Sequence, residues 1–515
     1  MKTFLARFAS LIHFVVSGFD RLRFRGESII LSNNRGVDAY LYQQKIRYVD
    51  FMDHCQQLTR TLCQQTDQDA EAQGVPLKHL NSPTIDKEAT ALELAAAHPS
   101  SAPVGRIALI SAVESCFTYR LRKNEEGRAY PVKEEGKCKH YYHYFQHPEL
   151  GLCYVRVQTY FPFTVRVGMN GRQWLYRQLR NRGVGFKHTG NLLVSVDDVP
   201  LAQQLLDAQV HADYVKMLSG LVEPIQPLSE HLRRCAPYYW TAEQTEWAND
   251  IVFRSADDLA LWYQRWVRHG IENLNCTDVM KYLGKKRPAT CAKEAKIDLR
   301  ERPEGTRLKF WYNTNSLKMY DKEGLSLRCE TTINQPREFT VFRKTAKAAE
   351  DEVPQWRPMR KGVADMERRV EVSQAANHRL LESLASVAEP TTLGELLKPL
   401  GKPVSQDGQR VARALNPLTG KDGELLRILA TGDFLLKGFR NADVREAFYG
   451  KSEDPKEDRR RSAATTRLLS LLRAHGLIVK VAKSHRYQLS ASGRRTVTTL
   501  LTAHACDAIR LAASR

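Results

Sequence analysis

What this 515-residue chain lacks first is any pairing among its cysteines. The ten are scattered at positions 55, 63, 116, 138, 153, 235, 276, 291, 329 and 506, and none forms the Cys-x-x-Cys spacing of a zinc or redox motif. Most lie inside apolar runs, where a thiol behaves as a small hydrophobe. Reduced thiols in a cytoplasmic protein are the simplest expectation. Long hydrophobic runs are missing too. None reaches the roughly 20 residues needed to span a bilayer, so no membrane partner is expected. The N-terminal MKTFLARFASLIHFVVSGFDR has the basic start and short apolar run of a signal peptide, with Val16-Ser17-Gly18 as a cleavage site. His13 interrupts that run, and the cytoplasmic reading is preferred. No phosphate loop, dinucleotide fingerprint or nucleophile elbow occurs, which argues against an ATPase or an oxidoreductase. Internal repeats and low-complexity tracts are also wanting.

Acidic residues are in deficit. Asp and Glu number 58 against 78 Lys and Arg, for a net charge of +20. Such a surplus favours a polyanionic partner, because each cation set against a phosphate releases condensed counterions. The hydrophobic share of 42% suffices for ordinary cores, and the length suggests about three domains.

The predicted fold class is α+β: a mainly antiparallel body with a helical insert, followed by a C-terminal winged helix. Residues 1–210 form the body. A strand over 19–26 (FDRLRFRG) precedes helices near 36–46, 48–73 and 84–97. Apolar alternation then marks strands at 106–113, 116–122, 138–145, 152–160 and 163–169. Asn170 caps a helix of 170–182; a strand at 186–196 and a helix at 198–210 complete this part. Residues 211–345 are read as a helical segment plus a three-stranded hairpin sheet. In the helical segment, Thr241 and Gln244 suggest a capping box for a helix through Trp247 and Ile251. Residues 346–420 are a linker and a polar helix (362–388), and 421–515 the winged helix.

In that last part, helices are expected at 423–431, 441–450 and 459–475. The third sets Ala464, Leu468, Leu471 and Leu472 on one face. The opposite face carries Arg460, Ala463, Arg467 and Ser470, with Arg473 and Thr466 at its edges. A basic, small-residue front suits a helix in a major groove. Strands 477–482 and 486–490 flank a Lys483-Ser484-His485 tip. Residues 390–515 hold 23 Lys plus Arg and 12 Asp plus Glu, a net +11. The order of a helix ending in Gly476, Leu-Ile, a basic hairpin and LSASGR resembles MarR-type winged helices over about 90 residues. The resemblance implies DNA contacts at Arg460, Arg467, Arg473, Lys483, His485 and Arg486.

Alternation over 306–333 puts Leu308, Phe310, Leu317, Met319, Leu325 and Leu327 on one face of the hairpin sheet. Arg307, Lys309, Trp311, Lys318, Tyr320, Arg328, Glu330 and Thr332 fall on the other. Interleaved cations and aromatics suit backbone tracking with base stacking. The alternative is a solvated face on which Arg328 and Glu330 pair across strands. The string LKMYDK…LRCETT is similar to rolling-circle replication initiators, in which a Tyr-Asp-Lys strand precedes a Leu-Arg-x-Glu strand. The paired-histidine metal motif of that class is not evident, so no nucleophilic role passes to Tyr320.

A nuclease or strand-transferase needs carboxylates converging on divalent cations, Mg²⁺ or Mn²⁺. Asp20 in the first strand and Glu114 after the strand 106–113 are the leading candidates, both as catalytic groups and as metal ligands. Glu246 and Asp250, at i and i+4 on the expected helix, could join them, or form a solvated acidic face. Cys138, His140, His143, His147 and Cys153 make the densest Cys/His cluster, read as sheet packing before zinc.

The stretches SGFDRLRFRG, NGRQWLYRQL, YYWTAEQTEWANDIVFR and NSLKMYDKEG resemble a widespread group of bacterial proteins associated with mobile elements, which implies a lineage and not a mechanism. The expected function is DNA processing for a mobile element, targeted to double-stranded DNA by the winged helix. A non-catalytic regulator or architectural DNA binder is the first alternative, and a partner of a structured RNA the second. Whether the chain is an enzyme, and whether it forms a homodimer, stay open on the sequence.

Overall fold

The computed structural model describes the chain apart from residues 83, 100–101, 103–104, 274–282, 284–294, 303–304, 345–352, 386, 388–392, 407–409, 431–433, 435–437, 482–483 and 506–515. In chain order the strands are β1 (Ile12–Ser28), β2 (Leu77–Leu80), β3 (Arg106–Lys123), β4 (Ala129–His147), β5 (Gly151–Gln158), β6 (Val165–Asn170), β7 (Phe186–Thr189), β8 (Leu192–Val196), β9 (Tyr238–Phe253), β10 (Ala295–Arg302), β11 (Gly305–Tyr312), β12 (Asn315–Lys322), β13 (Ser326–Ile333), β14 (Thr340–Arg343), β15 (Gln355–Pro358), β16 (Val404–Gln406), β17 (Arg410–Ala412), β18 (Ile478–Lys480) and β19 (Tyr487–Leu489). The chain divides into two compact units, neither continuous in sequence. One comprises Ile12–Phe253 and Leu325–Asn377, the other Met1–Leu11, Arg254–Gly324 and His378–Arg515. The α+β character is plain, with a large, mainly antiparallel sheet. No helix among the described residues is long and apolar enough to cross a membrane.

In the first unit the sheet runs β13-β9-β1-β6-β5-β4-β3-β2. Neighbours are antiparallel except the parallel pair β2–β3. The signal-like run Ile12–Gly18 is the first half of central strand β1, with Phe14 and Val16 buried. The two strands expected over 106–122 are one, β3, and the strand expected over 186–196 is a hairpin turning at Gly190.

The principal departure from the sequence reading is β9. Residues 241–251, expected as a helix, lie extended between β1 and β13. Ala, Glu and Gln there favour a helix, but pairing on both sides and burial of Trp247, Ile251 and Phe253 override local propensity.

The two faces of this sheet differ. One packs on Phe19, Leu22, Phe24, Val155, Val167 and Trp247 in the largest apolar core; Phe19 and Trp247 meet edge to face at 5.0 Å. The opposite face is covered near β1 by the helices Gly171–Asn181 and Val199–Val210. Their approach is close. A Cβ on Gly18 would sit 2.6 Å from Leu206, and one on Gly171 2.3 Å from the Phe19 carbonyl oxygen. Gln203 of the second helix hydrogen-bonds the Ser17 backbone at both N–H and C=O, 2.8 and 3.0 Å.

In the other unit β10, β11 and β12 form a meander. Its C-terminal part has helices Gly420–Leu429, Asn441–Tyr449 and Pro455–Ala474, the hairpin β18–β19 and the helix Ala491–Ala505. These enclose a core of Leu425, Leu429, Phe439, Val444, Leu469, Leu472, Leu489 and Val497. The seam of Pro455–Ala474 is Thr465, Leu469 and Leu472, flanked by Leu468 and Leu471, so it is shifted from the expected one.

Candidate metal centre

The site is built by a local irregularity in β1. Phe19 pairs with Trp247 and Leu22 with Thr245, so Asp20 and Arg21 together stand opposite Glu246 alone. That is a β-bulge, which turns an extra side chain and ends regular pairing. The β6 strand pairs with β1 only from Arg21 onward. Across β9, Thr332 lies opposite Glu246 and Glu330 opposite Ala248. Glu330 is therefore a diagonal neighbour of Glu246 on the same face, since side chains alternate along a strand.

Three adjacent strands thus deliver Asp20, Glu246 and Glu330 to one place. One carboxylate oxygen from each lies within 4.8 Å of the others, and all three residues are buried. Oxygens sharing one octahedral Mg²⁺ are about 3–4 Å apart, so modest side-chain rotation would suffice. The site is an all-oxygen set, the donor class of Mg²⁺ and Mn²⁺.

Buried like charges need compensation. Arg21 supplies part of it: burial opposes its charge, but Glu246, Asp20, Glu330 and Glu88 outweigh that and hold the guanidinium more firmly protonated than usual. Glu88 stands in the first turn of the helix Lys87–Ala97. Its carboxyl is pushed up by burial and by Asp86, and pulled back by Arg21.

Beside the cluster lies a buried ion-pair network. Arg328 donates to Asp250 through Nε and through Nη2 (2.9 Å), to Asp20 through Nη1 (3.2 Å) and to the Asn191 carbonyl (2.7 Å). Arg172 binds Asp250 at 2.7 Å. Asn191, at the β7–β8 turn, also donates to Asp20 at 2.5 Å. Asp250, Arg328 and Arg172 are fully buried, so this network rigidifies the wall of the site.

The same face continues away from the cluster as a row of arginines held in ion pairs. Arg25 and Arg166 share Glu243, while Arg156 binds Glu114 at 3.1 Å. Arg25, Arg156 and Arg166 line a cavity of about 240 Å³ with Phe117 and Gln158.

Of the carboxylates singled out from sequence, Asp20 and Glu246 meet. Glu114 does not join them. It lies on β3, four strands from β1 in the sheet order, tied to Lys87 (3.0 Å), Arg156 and the Tyr142 hydroxyl (2.7 Å). Those partners hold its carboxyl below its usual range against the burial that would raise it. Asp250 is committed to Arg328 and Arg172. Glu330, assigned from sequence to a cationic face, takes the third position. Arg328 is not an open nucleic-acid contact; its guanidinium is buried among carboxylates.

On the meander, Arg307 pairs with Tyr320 and Lys309 with Lys318, which brings these side chains to one face with Trp311. Lys309 Nζ lies 3.5 Å from the Trp311 ring centroid. Tyr320 is buried and the others are half-buried, so this face is less open than alternation suggested. In the Cys/His cluster, Cys138 Sγ is 3.4 Å from Cys116 Sγ, His143 points to Arg106 and Cys153 is buried in the apolar core. No zinc set forms among the described residues. On the helix Pro455–Ala474, Arg460, Arg467 and Arg473 are exposed, as is His485; Arg486 is half-buried, and Lys483 lies outside the described residues.

No protein-family model and no curated protein matches the chain. Among solved structures, the di-domain ARO/CYC BexL from the BE-7585A biosynthetic pathway aligns with 55% of this chain and 99% of its own, at 10% identity and a TM-score of 0.14. A score that low carries neither fold nor function across.

Proposed function

We propose that this chain is a metal-dependent DNA-processing protein, a nuclease or strand-transferase of a mobile element. The observation that carries the reading is the convergence of Asp20, Glu246 and Glu330 from three neighbouring strands at a β-bulge, beside a face of arginines. These carboxylates would hold Mg²⁺ or Mn²⁺. When bound, such an ion neutralises a phosphodiester and lowers the pKa of a water or hydroxyl nucleophile. Arg21 would offset charge on the phosphate, and the Arg328–Asp250–Arg172 network would keep the carboxylates oriented.

We further read the C-terminal helices and the β18–β19 hairpin as a winged helix. The bridge between Phe439 and Tyr487 supports this by adding a third short extended segment. The exposed Arg460, Arg467 and Arg473 suit phosphate and base-edge contacts in duplex DNA. Arg460 is paired with Glu457 at 2.7 Å on the surface, a contact worth little and easily exchanged for phosphate.

A non-catalytic DNA binder is the second reading. It is favoured by Arg328 at 3.2 Å from Asp20, which supplies countercharge from the protein itself. The deciding experiment incubates the protein with labelled single- and double-stranded DNA and RNA in Mg²⁺, Mn²⁺ or EDTA. Metal-dependent cutting or joining, lost in E246Q and E330Q while binding persists, supports the enzyme. Salt-sensitive binding without any strand chemistry supports the second reading, and preference for RNA over duplex DNA would displace DNA as the substrate.

A further inference from the structure

Two thiols meet on the sheet of the unit that holds the acidic cluster, at a place the metal centre does not use. Cys116 lies on β3 opposite Gly136, and Cys138 on β4 opposite Glu114. The cysteines are therefore diagonal neighbours on one face. Gly136 sets no side chain directly across from Cys116, so its thiol has room to lean to the diagonal. The two sulfurs share a hydrogen bond, Sγ to Sγ 3.4 Å. Side-chain rotation has only that gap to close to reach the disulfide length of about 2.05 Å.

Free cysteine is usually buried outright, as Cys55, Cys153 and Cys329 are, whereas Cys116 and Cys138 are half-buried. Cys116 lines the cavity of about 240 Å³, with Ser115, Glu135, Arg156, Gln158 and Thr164. Ser115 and Glu135 are exposed, so this cavity reaches the surface.

The two thiols are unequal. The hydrogen bond from Cys138 holds the Cys116 thiol below its usual range; burial opposes this and the Arg156 guanidinium assists it. The same bond, and then burial, pushes Cys138 up. Cys63 and Cys235, the other half-buried thiols among the described residues, are raised by burial. Since the thiolate is the reactive form, Cys116 is the thiol that attacks and Cys138 the one that waits beside it.

We infer that Cys116 and Cys138 are a reversible, peroxide-modified dithiol, in which Cys116 is oxidised first and Cys138 closes the disulfide. The oxidant is a hydroperoxide small enough for the cavity. The Cys116 thiolate attacks one peroxide oxygen, the O–O bond breaks, and the other oxygen leaves and takes a proton from solvent, as an alcohol or, from hydrogen peroxide, as water. Cys116 is then a sulfenic acid. Cys138 attacks its sulfur, the S–O bond breaks as the S–S bond forms, and the Cys138 proton departs with the hydroxyl as water. The thiols lose two electrons and the peroxide gains them. Neither metal nor nucleic acid takes part, so this site stands or falls separately from the metal-dependent function.

The test treats the reduced full chain, freed of thiol reductant, with hydrogen peroxide and maps its peptides by mass spectrometry. A Cys116–Cys138 link, reversed by dithiothreitol, should form about 10-fold or more faster than Cys63 or Cys235 is oxidised. C138S should stop at the Cys116 sulfenic acid, trapped by dimedone, and C116S should leave Cys138 a thiol. Melting curves of the reduced variants check that the fold is kept. Cys116 left reduced in wild type while other thiols oxidise overturns the inference. So does Cys116 carried on to sulfinic acid without a link, or a link formed no faster than the other thiols react. These wild-type outcomes need no substitution, so a poorly folded variant does not shield the proposal.

Discussion

Replacing Glu330 with glutamine keeps the side chain's shape and removes one of three charges clustered within 4.8 Å. At an effective dielectric near 20, like charges about 4–5 Å apart repel by roughly 3–4 kcal/mol per pair. Glu330 belongs to two such pairs, with Asp20 and Glu246. Against the relief stands lost attraction to Arg21 and the need to satisfy a buried amide. The balance should leave metal-free E330Q more stable than wild type by about 1–3 kcal/mol. A divalent cation reverses the order, since an ion present at 100 times its Kd adds about 2.7 kcal/mol to the form that binds it. Thermal unfolding in EDTA and across a Mn²⁺ series reads both effects. We expect E330Q to melt above wild type in EDTA, wild type to rise with Mn²⁺, and E330Q to rise little. A wild-type midpoint that ignores Mn²⁺ and Mg²⁺, or an E330Q midpoint below wild type in EDTA, would refute the reasoning.

Four further outcomes are expected. R328M should lower stability by about 3–5 kcal/mol in urea, because it strips a buried partner from Asp250; a loss under about 1 kcal/mol would contradict the ion-pair account. E114Q should leave the Mn²⁺-induced melting shift at its wild-type size, since Glu114 serves Lys87 and Arg156; abolition of the shift would place it in the centre after all. Burial, with help from Arg106, lowers His143 to about 3, and burial with Arg156 does the same for His140. Their folded values lie below the unfolded value of about 6.5, so the stability they protect is complete above that pH. It falls as pH drops toward 3, by about 1.4 kcal/mol per pH unit for each histidine. Urea titrations at pH 7, 6 and 5 should show that slope and a shallower one in H143Q; equal slopes would count against it. R467A should weaken duplex binding at all sequences and reduce the salt-dependence slope by about 0.9 if Arg467 meets a phosphate; an unchanged slope would remove that contact.

Much of the architecture was legible because it rests on local patterns. Alternation located β3 to β6, and Asn170 announced the helix it caps with bonds to Arg172 and Gln173. The site was half legible. Asp20 stood out as a carboxylate on the first strand, and Glu246 as the i, i+4 partner of Asp250 on an expected helix. Glu330 did not, because the Arg-x-Glu alternation reads equally as a solvated face, and only pairing with β9 buries it. Placing Glu246 on a helix hid its neighbours; the β-rich ends of that segment, Tyr-Tyr-Trp and Ile-Val-Phe, were the available signal. Glu114 looked equivalent to Asp20 because both follow the same pattern in strands of one sheet. Strand order separates them, and strand order depends on contacts between residues hundreds of positions apart, as Asp20 and Glu330 are.

The central claim is that Asp20, Glu246 and Glu330 together hold one divalent cation. Titrating Mn²⁺ into the metal-free protein, with bound ion followed by electron paramagnetic resonance, tests it most directly. One site per chain is expected, lost in D20N, E246Q and E330Q and kept in E114Q. No bound Mn²⁺, or a site that survives all three substitutions, would contradict the claim.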